Sequence, residues 1–104
     1  EKTRNITRAI NSLKEELEAV DWYNQRVEAS SDEELKAIMA HNRDEEIEHA
    51  CMTLEWLRRN MDGWDEELKT YLFTSGPITS IEGQEQASDA PSNSGNGLNI
   101  GKMK

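Results

Sequence analysis

The chain has 104 residues, of which 35% are hydrophobic and 32% are charged, and its formal net charge is −9. A chain of this size forms at most one small domain, and so small an apolar fraction predicts a core that other subunits complete. The acidic balance argues against nucleic acid or an anionic membrane surface as a partner and favours metal cations. No stretch approaches the roughly 20 apolar residues of a membrane span. The single cysteine, Cys51, gives no disulfide framework that would require an oxidising compartment.

The first predicted element is a helix over residues 3–29. Its apolar side chains recur mostly at steps of four and three residues: Ile6, Ile10, Leu13, Leu17, Val20 and Val27. This spacing is typical of a seam that packs against another helix. Glu16 lies at the edge of the stripe, whereas Glu15 and Glu18 point further away from it. Glu16 is therefore the acidic residue that we expect to face inward.

A serine-rich break at residues 30–32 predicts the start of a second helix, which should run from about Asp32 to about Asn60. Two competing capping boxes are available at its start: Ser31 with Glu34, and Ser30 with Glu33. The predicted seam of this helix is apolar towards its ends and polar at its centre. It consists of Leu35, Met39, Asn42, Glu46, His49, Thr53 and Trp56.

Glu46 and His49 occupy seam positions where leucines would be expected. A buried carboxylate without a partner costs several kcal/mol or becomes protonated, so this pair needs an explanation. Residues three apart share a helix face, so both side chains can bind one metal ion through an oxygen and a nitrogen. Glu-x-x-His is the pattern of ferritin-like di-iron bundles. The alternative interpretation is an ordinary Glu–His pair on a solvated face.

The number of helices and ligands predicts a dimer. A complete di-iron bundle has four helices, of which two give one Glu each and two give Glu-x-x-His each. This chain has two long helices, with one inward Glu and one such motif, and a two-fold dimer would supply the rest. We therefore predict an all-α fold of two long antiparallel helices plus a short C-terminal helix. It would form half of a ferritin-like four-helix bundle, completed by dimerisation, with a di-iron site from Glu16, Glu46 and His49 of each subunit.

A third, short helix is predicted over residues 63–73. Its face of Trp64, Leu68 and Leu72 is interpreted as an oligomer contact, because so short a helix is not stable alone.

The C-terminal part of the chain changes composition. Residues 83–97 contain alanine as their only apolar type and are typical of a flexible linker. Apolar side chains return in residues 98–104. We therefore divide the chain into a helical domain over residues 1–82, this linker and a terminal peptide, for which a frayed terminus is the alternative interpretation.

Three segments resemble the encapsulated ferritins: EELEAVDWY at residues 15–23, HNRDEEIEHA at residues 41–50 and TLEWLRR at residues 53–59. The resemblance covers roughly residues 10–81. It implies subunits that pair to build a ferroxidase site between chains and then assemble into a ring, commonly a decamer. Glu16, Glu46 and His49 match the ferroxidase ligands of that family, and Tyr23 matches a tyrosine beside the site. The resemblance also implies an outer cluster for iron access, formed by Glu15, Glu18 and Trp22.

The terminal peptide is similar to the docking peptides of encapsulin cargo proteins. It reads LNIGKMK over residues 98–104, and it differs from the common pattern at Lys102 and Met103. This similarity implies an encapsulin shell protein as partner, and hence a cytoplasmic location within an encapsulin nanocompartment.

The expected function is that of a ferroxidase, which oxidises Fe(II) to Fe(III) with O2 or peroxide for iron storage and detoxification. Carboxylate and imidazole ligands suit iron and also other divalent metals. Two alternatives stay open: a non-catalytic metal-binding helical adaptor, and a peroxide-scavenging di-metal protein, which normally has more ligands. Glu45 and Glu48 are interpreted as a solvated acidic face, with secondary iron binding, joined by His41, as the alternative. Cys51 is interpreted as a packing residue.

Overall fold

The computed structural model describes residues 1–82 of the protein. Its helices are α1 (Lys2–Ala29), α2 (Glu33–Asn60), α3 (Trp64–Tyr71) and a further helical turn over residues 78–82. The described part contains no β-strand, so the predicted all-α fold is confirmed. The predicted linker over residues 83–97 and the predicted docking peptide over residues 98–104 lie outside the described residues, and this division of the chain stays a prediction.

α1 and α2 pack against each other as an antiparallel pair. The Thr53 hydroxyl of α2 donates a hydrogen bond to Glu16 of α1, and the Arg43 guanidinium donates one to Asn24 at 3.0 Å. The later residue of α1 is therefore paired with the earlier residue of α2, so the two helices run in opposite directions. None of the helices within residues 1–82 combines the length and the apolar composition that crossing a bilayer requires.

The start of α2 differs from both predicted capping boxes. The carboxylate of Asp32 accepts a hydrogen bond from the backbone N–H of Leu35 at 2.9 Å, so Asp32 is the N-cap. Ser30 instead ends α1, because its backbone N–H and its hydroxyl both donate to the carbonyl of Arg26. Aspartate caps a helix as well as serine does, and it lies directly before the first helical residue.

The line of contact between α1 and α2 also differs from the predicted seams. The most buried side chains are Ala50 and Leu57, which lie next to the predicted seam of α2 and not on it. On α1, Ile10 and Leu17 are 41% and 55% exposed in the single chain. The apolar stripe of each helix is wider than one helix–helix contact, so part of it lies on the flank of the pair. The predicted seam residue Trp56 occupies such a flank.

Many large apolar side chains of the helix pair remain exposed. They are Ile10, Leu17, Trp22, Leu35, Ile38, Ile47, Met52 and Trp56. Exposed apolar surface of this kind is typical of faces that meet other subunits.

The chain divides into two compact units between Trp64 and Asp65. α3 ends at Tyr71, two residues before its predicted end, because Phe73 adopts a left-handed backbone conformation with φ 62° that no helix continues. The last turn is closed by a hydrogen bond from the Leu72 N–H to the Leu68 carbonyl at 2.9 Å. The Phe73 side chain is fully exposed. The oligomer contact predicted for this face stays a prediction.

Candidate metal site

Glu16 is the acidic residue of α1 that faces α2. Its Oε2 accepts a hydrogen bond from the Thr53 hydroxyl at 3.3 Å. Its Oε1 is buried and has no hydrogen-bond partner among the described residues. A buried charged oxygen without a donor carries a desolvation cost that a bound cation would remove. Glu15 and Glu18 are exposed, as expected.

Glu46 and His49 lie side by side one turn apart on α2. The Nδ1 of His49 is 3.6 Å from the Oε1 of Glu46, and the two side chains are 43% and 27% exposed, respectively. Helical i, i+3 spacing produces this proximity. An oxygen and an imidazole nitrogen therefore point into the same space from one face of the helix.

Glu16 and the Glu46–His49 pair lie on the same side of the helix pair. At about 100° per residue, Thr53 and His49 are rotated by about 40° and about 80° in the same sense from the buried Leu57. Glu16 accepts its hydrogen bond from Thr53, so it meets α2 on the side of the contact where His49 lies. Glu46 is rotated from Leu57 by about 20° in the same sense. The three predicted ligands therefore lie on one side of the contact line.

These ligands nevertheless lie at different heights along the pair. Glu16 is level with Thr53, which follows Glu46 by seven residues, or about 10 Å of helix rise. Within residues 1–82, no group of three His, Cys, Asp or Glu side chains is placed to hold a metal ion. One subunit thus presents its predicted ligands as two separate sets, Glu16 on α1 and the Glu–His pair on α2.

Tyr23 lies on the same face of α1 as Glu16 and is half-buried. It follows Glu16 by seven residues and directly precedes Asn24, the partner of Arg43. This register brings Tyr23 close to the level of Glu46. The helix pair therefore places the predicted tyrosine on the face that carries the predicted ligands.

Glu45 lies between the two histidines of α2. Its carboxylate oxygens are 3.9 Å from the Nε2 of His41 and 4.0 Å from the Nε2 of His49, and half of its side chain is exposed. Glu48 lines a separate surface depression of about 440 Å³ together with Cys51. Cys51 is exposed, which corrects its interpretation as a packing residue. It follows the buried Ala50, and a step of one residue turns a side chain by about 100° away from the contact.

The residues of the predicted outer cluster lie together on the surface of α1. Glu15, Glu18 and Trp22 line a depression of about 480 Å³. Asp21 also lines it, an additional carboxylate that the sequence reasoning did not name. The Arg26 guanidinium stacks on the Trp22 ring, with 4.5 Å between its central carbon and the ring centroid. Three carboxylates thus share one open face with an aromatic ring that is stacked against Arg26.

A different electrostatic arrangement surrounds Glu55 near the end of α2. The Arg58 guanidinium donates one hydrogen bond to each carboxylate oxygen at 2.8 Å, and Arg59 donates another to Oε2 at 2.7 Å. These hydrogen bonds lower the pKa of Glu55 to about 2, first through Arg58 and then through Arg59. Glu55 is therefore already compensated by cations of its own helix.

Sequence reasoning placed Thr53 in the seam but gave it no role. The structure makes it the hydrogen-bond donor to Glu16. The sequence did contain one indication of such a role: Thr53 is a polar residue in the predicted seam, seven residues after Glu46 and therefore on nearly the same helix face. What the sequence did not contain was the register that sets Thr53 opposite Glu16.

Several known proteins resemble this chain. A family model described as EncFtn-like matches residues 1–75. A ferritin-like protein of Thermotoga maritima is 60% identical over 102 residues, which cover 98% of this chain and 88% of that protein. An encapsulated ferritin-like protein of Rhodospirillum rubrum is 58% identical over 113 residues of alignment, covering 100% of this chain and 81% of that protein.

A solved structure agrees with these relatives. The crystal structure of protein ne0167 from Nitrosomonas europaea superposes with a TM-score of 0.73 at 67% sequence identity. The superposition covers 75% of this chain and 87% of that chain. Because the family model and both relatives match most of its length, the chain belongs to the EncFtn-like family.

Proposed function

We propose that the protein is a ferroxidase that binds two Fe(II) ions between two subunits. The observation that carries this proposal is the buried Oε1 of Glu16, which has no hydrogen-bond partner within residues 1–82. If two chains pair through their ligand-bearing faces about a two-fold axis, Glu16 of each chain would lie beside the Glu46–His49 pair of the other. Glu16, Glu46 and His49 from each subunit give four carboxylates and two imidazoles, whose four negative charges balance two divalent cations.

The donor set fits ferrous iron as a substrate. Carboxylate oxygens and imidazole nitrogens are ligands that iron accepts, and other divalent metals share this preference. Each of two neighbouring Fe(II) ions gives up one electron, so the pair supplies both electrons that reduce O2 to peroxide or peroxide to water. The carboxylates hold the two ions close and offset their charge. Tyr23 lines the same face, beside the ligands.

The outer cluster of Glu15, Glu18 and Trp22 would serve iron access. Its open carboxylates would attract Fe(II) from solution, since clustered charge of one sign raises the local concentration of the opposite ion. Glu45 is proposed as a weaker, secondary position, because it lies between two histidines and is half exposed.

We test the site by replacing its ligands. Glu46→Ala or His49→Ala should abolish most Fe(II) oxidation, because each replacement removes two ligands from a shared site. Glu45→Ala removes a neighbouring carboxylate that also approaches His49, and it should cause a milder loss because Glu45 is only a secondary position. Oxidation is followed by the absorbance of Fe(III) after anaerobic Fe(II) loading and exposure to O2 or peroxide.

Two results would contradict this assignment. An equal loss of activity in Glu45→Ala would mean that the wrong face of α2 had been chosen. Binding of Fe(II) without any oxidation by the wild type would favour the non-catalytic metal-binding adaptor.

We also propose that the protein is the cargo of an encapsulin shell. The name of the Rhodospirillum rubrum relative describes it as encapsulated, and this chain aligns with it over its whole length. The shell would be bound through residues 98–104. Deleting these residues should leave Fe(II) oxidation intact and abolish packaging by a co-expressed shell protein. A deletion variant that still purifies inside shells would refute the docking role.

A further inference from the structure

We propose that Thr53 is a positioning residue, whose hydroxyl holds the Glu16 carboxylate in the orientation that binds a cation. The inference rests on the proposed function and deepens it, because it assigns a role to a residue that is not itself a ligand. It depends on three observations: the direction of one hydrogen bond, the burial of one oxygen atom and the way that another threonine of this chain uses its hydroxyl.

The hydrogen bond from Thr53 distinguishes the two oxygens of Glu16. The hydroxyl donates to Oε2 at 3.3 Å from the opposite helix. Within residues 1–82, Oε1 receives no hydrogen bond, and it is buried. One oxygen is therefore anchored to α2, and the other has lone pairs that no donor in this part of the chain uses. This is the arrangement expected of a carboxylate oriented to bind a cation through Oε1.

The direction of this bond is not the usual one for a threonine in a helix. Threonine in a helix often donates to a backbone carbonyl of the preceding turn. Thr70 does so, donating to the Glu66 carbonyl at 2.9 Å. The Thr53 hydroxyl is instead directed across the helix pair to a side chain 37 residues away in sequence. It therefore orients a carboxylate on the neighbouring helix.

Loss of this donor should weaken cation binding. The glutamate side chain has several rotatable bonds, and Glu16 is only half-buried. Without its donor, the carboxylate would turn to water, and binding would then have to reorder and desolvate it. Residues that orient metal ligands typically change metal affinity by about 10–100-fold when replaced. We expect about tenfold weaker binding for Thr53→Val, which keeps the shape of the side chain but removes the hydroxyl.

The test measures binding of a metal that is not oxidised under the assay conditions. Zn(II) is titrated by calorimetry into the metal-free full chain, for the wild type, Thr53→Val, Thr53→Ser and Glu16→Gln at one protein concentration. Thr53→Ser retains the hydroxyl and should bind within about threefold of the wild type. Thr70→Val is the matched control, because it removes a threonine hydroxyl that is bonded to its own helix.

Thermal unfolding of each metal-free variant separates positioning from a purely structural role. A structural role would lower the unfolding temperature of Thr53→Val and leave its Zn(II) affinity unchanged, which would overturn the inference. If Thr53→Val does not fold, Thr53→Ala, which also lacks the hydroxyl, replaces it in the titration.

The remaining outcomes distinguish this inference from the proposed function. Weak binding by Glu16→Gln together with wild-type binding by Thr53→Val would overturn the positioning role and leave the metal site in place. Wild-type binding by Glu16→Gln would overturn the metal site itself, and the role of Thr53 with it. Weaker binding by Thr53→Val, with recovery in Thr53→Ser, would support the inference.

Discussion

Glu16 and Glu55 are two carboxylates of the same helix pair, and their charges are compensated in different ways. Glu55 accepts hydrogen bonds from Arg58 and Arg59, both on its own helix, and its pKa falls to about 2. Glu16 accepts one hydrogen bond from the neutral Thr53, and its second oxygen is buried without a hydrogen-bond partner in the part of the chain that the structure describes. Residues 1–82 thus compensate the charge of Glu55 with two arginines and give Glu16 only one neutral donor.

The difference in charge compensation comes from where each carboxylate lies as well as from which residues neighbour it in the sequence. Glu55 has arginines three and four residues further along an exposed helix end, where ion pairs form without any tertiary contact. Glu16 faces another helix, and no donor within residues 1–82 forms a hydrogen bond with its buried oxygen. We infer that an uncompensated carboxylate marks a binding site better than the number of acidic residues does, since 21 acidic residues are present in this chain.

The largest expected effect separates the two carboxylates by activity. Glu16→Ala should lower the rate of Fe(II) oxidation by at least about a hundredfold, because a ligand matters more than the groups that orient it. Glu55→Ala should oxidise Fe(II) at nearly the wild-type rate. The Fe(III) absorbance assay measures both. Similar rates for the two variants would contradict the distinction between a compensated and an uncompensated carboxylate.

A second effect concerns assembly. In the proposed dimer, four carboxylates at the two-fold axis would repel one another until cations bind, so metal ions should stabilise the assembled state. We expect more small species in the metal-free protein, and a shift to dimers and larger rings when Fe(II) or another divalent ion is added at low micromolar protein.

Native mass spectrometry measures this distribution. Glu55→Gln should respond to metal as the wild type does, and Glu16→Gln should respond weakly. An unchanged distribution of wild-type species with metal would count against a shared site.

The smallest effect concerns acid stability and Glu55, because an exposed ion pair contributes little to folding. Its pKa of about 2 in the folded chain lies below the ordinary value of 4.5, so the unfolded chain binds more protons between these values. The stabilisation from Glu55 is present above pH 4.5 and is lost as the pH falls towards 2. The free energies of unfolding in urea of the wild type and Glu55→Gln should differ above pH 4.5 and converge near pH 2. A difference in free energy that increases as the pH falls would contradict this prediction.

The sequence by itself determined most of the local structure. Helix-forming composition and the break at residues 30–32 predicted both long helices to within one or two residues at each end. The i, i+3 spacing determined that Glu46 and His49 lie side by side. The edge of the apolar stripe predicted the inward direction of Glu16. These features depend on interactions within a few residues along the chain, which a linear pattern contains.

Only the tertiary structure decided which stripe of each helix forms the contact. The predicted seam of α2 included His49 and Trp56, but Ala50 and Leu57 are the buried residues. The predicted stripe and the buried stripe point in directions that differ by less than the rotation of one residue, about 100°. Helix propensity and apolar periodicity do not distinguish two stripes so close together. The choice depends on how the side chains of two helices interdigitate. The same packing sets the register that places Thr53 opposite Glu16, 37 residues away in the sequence.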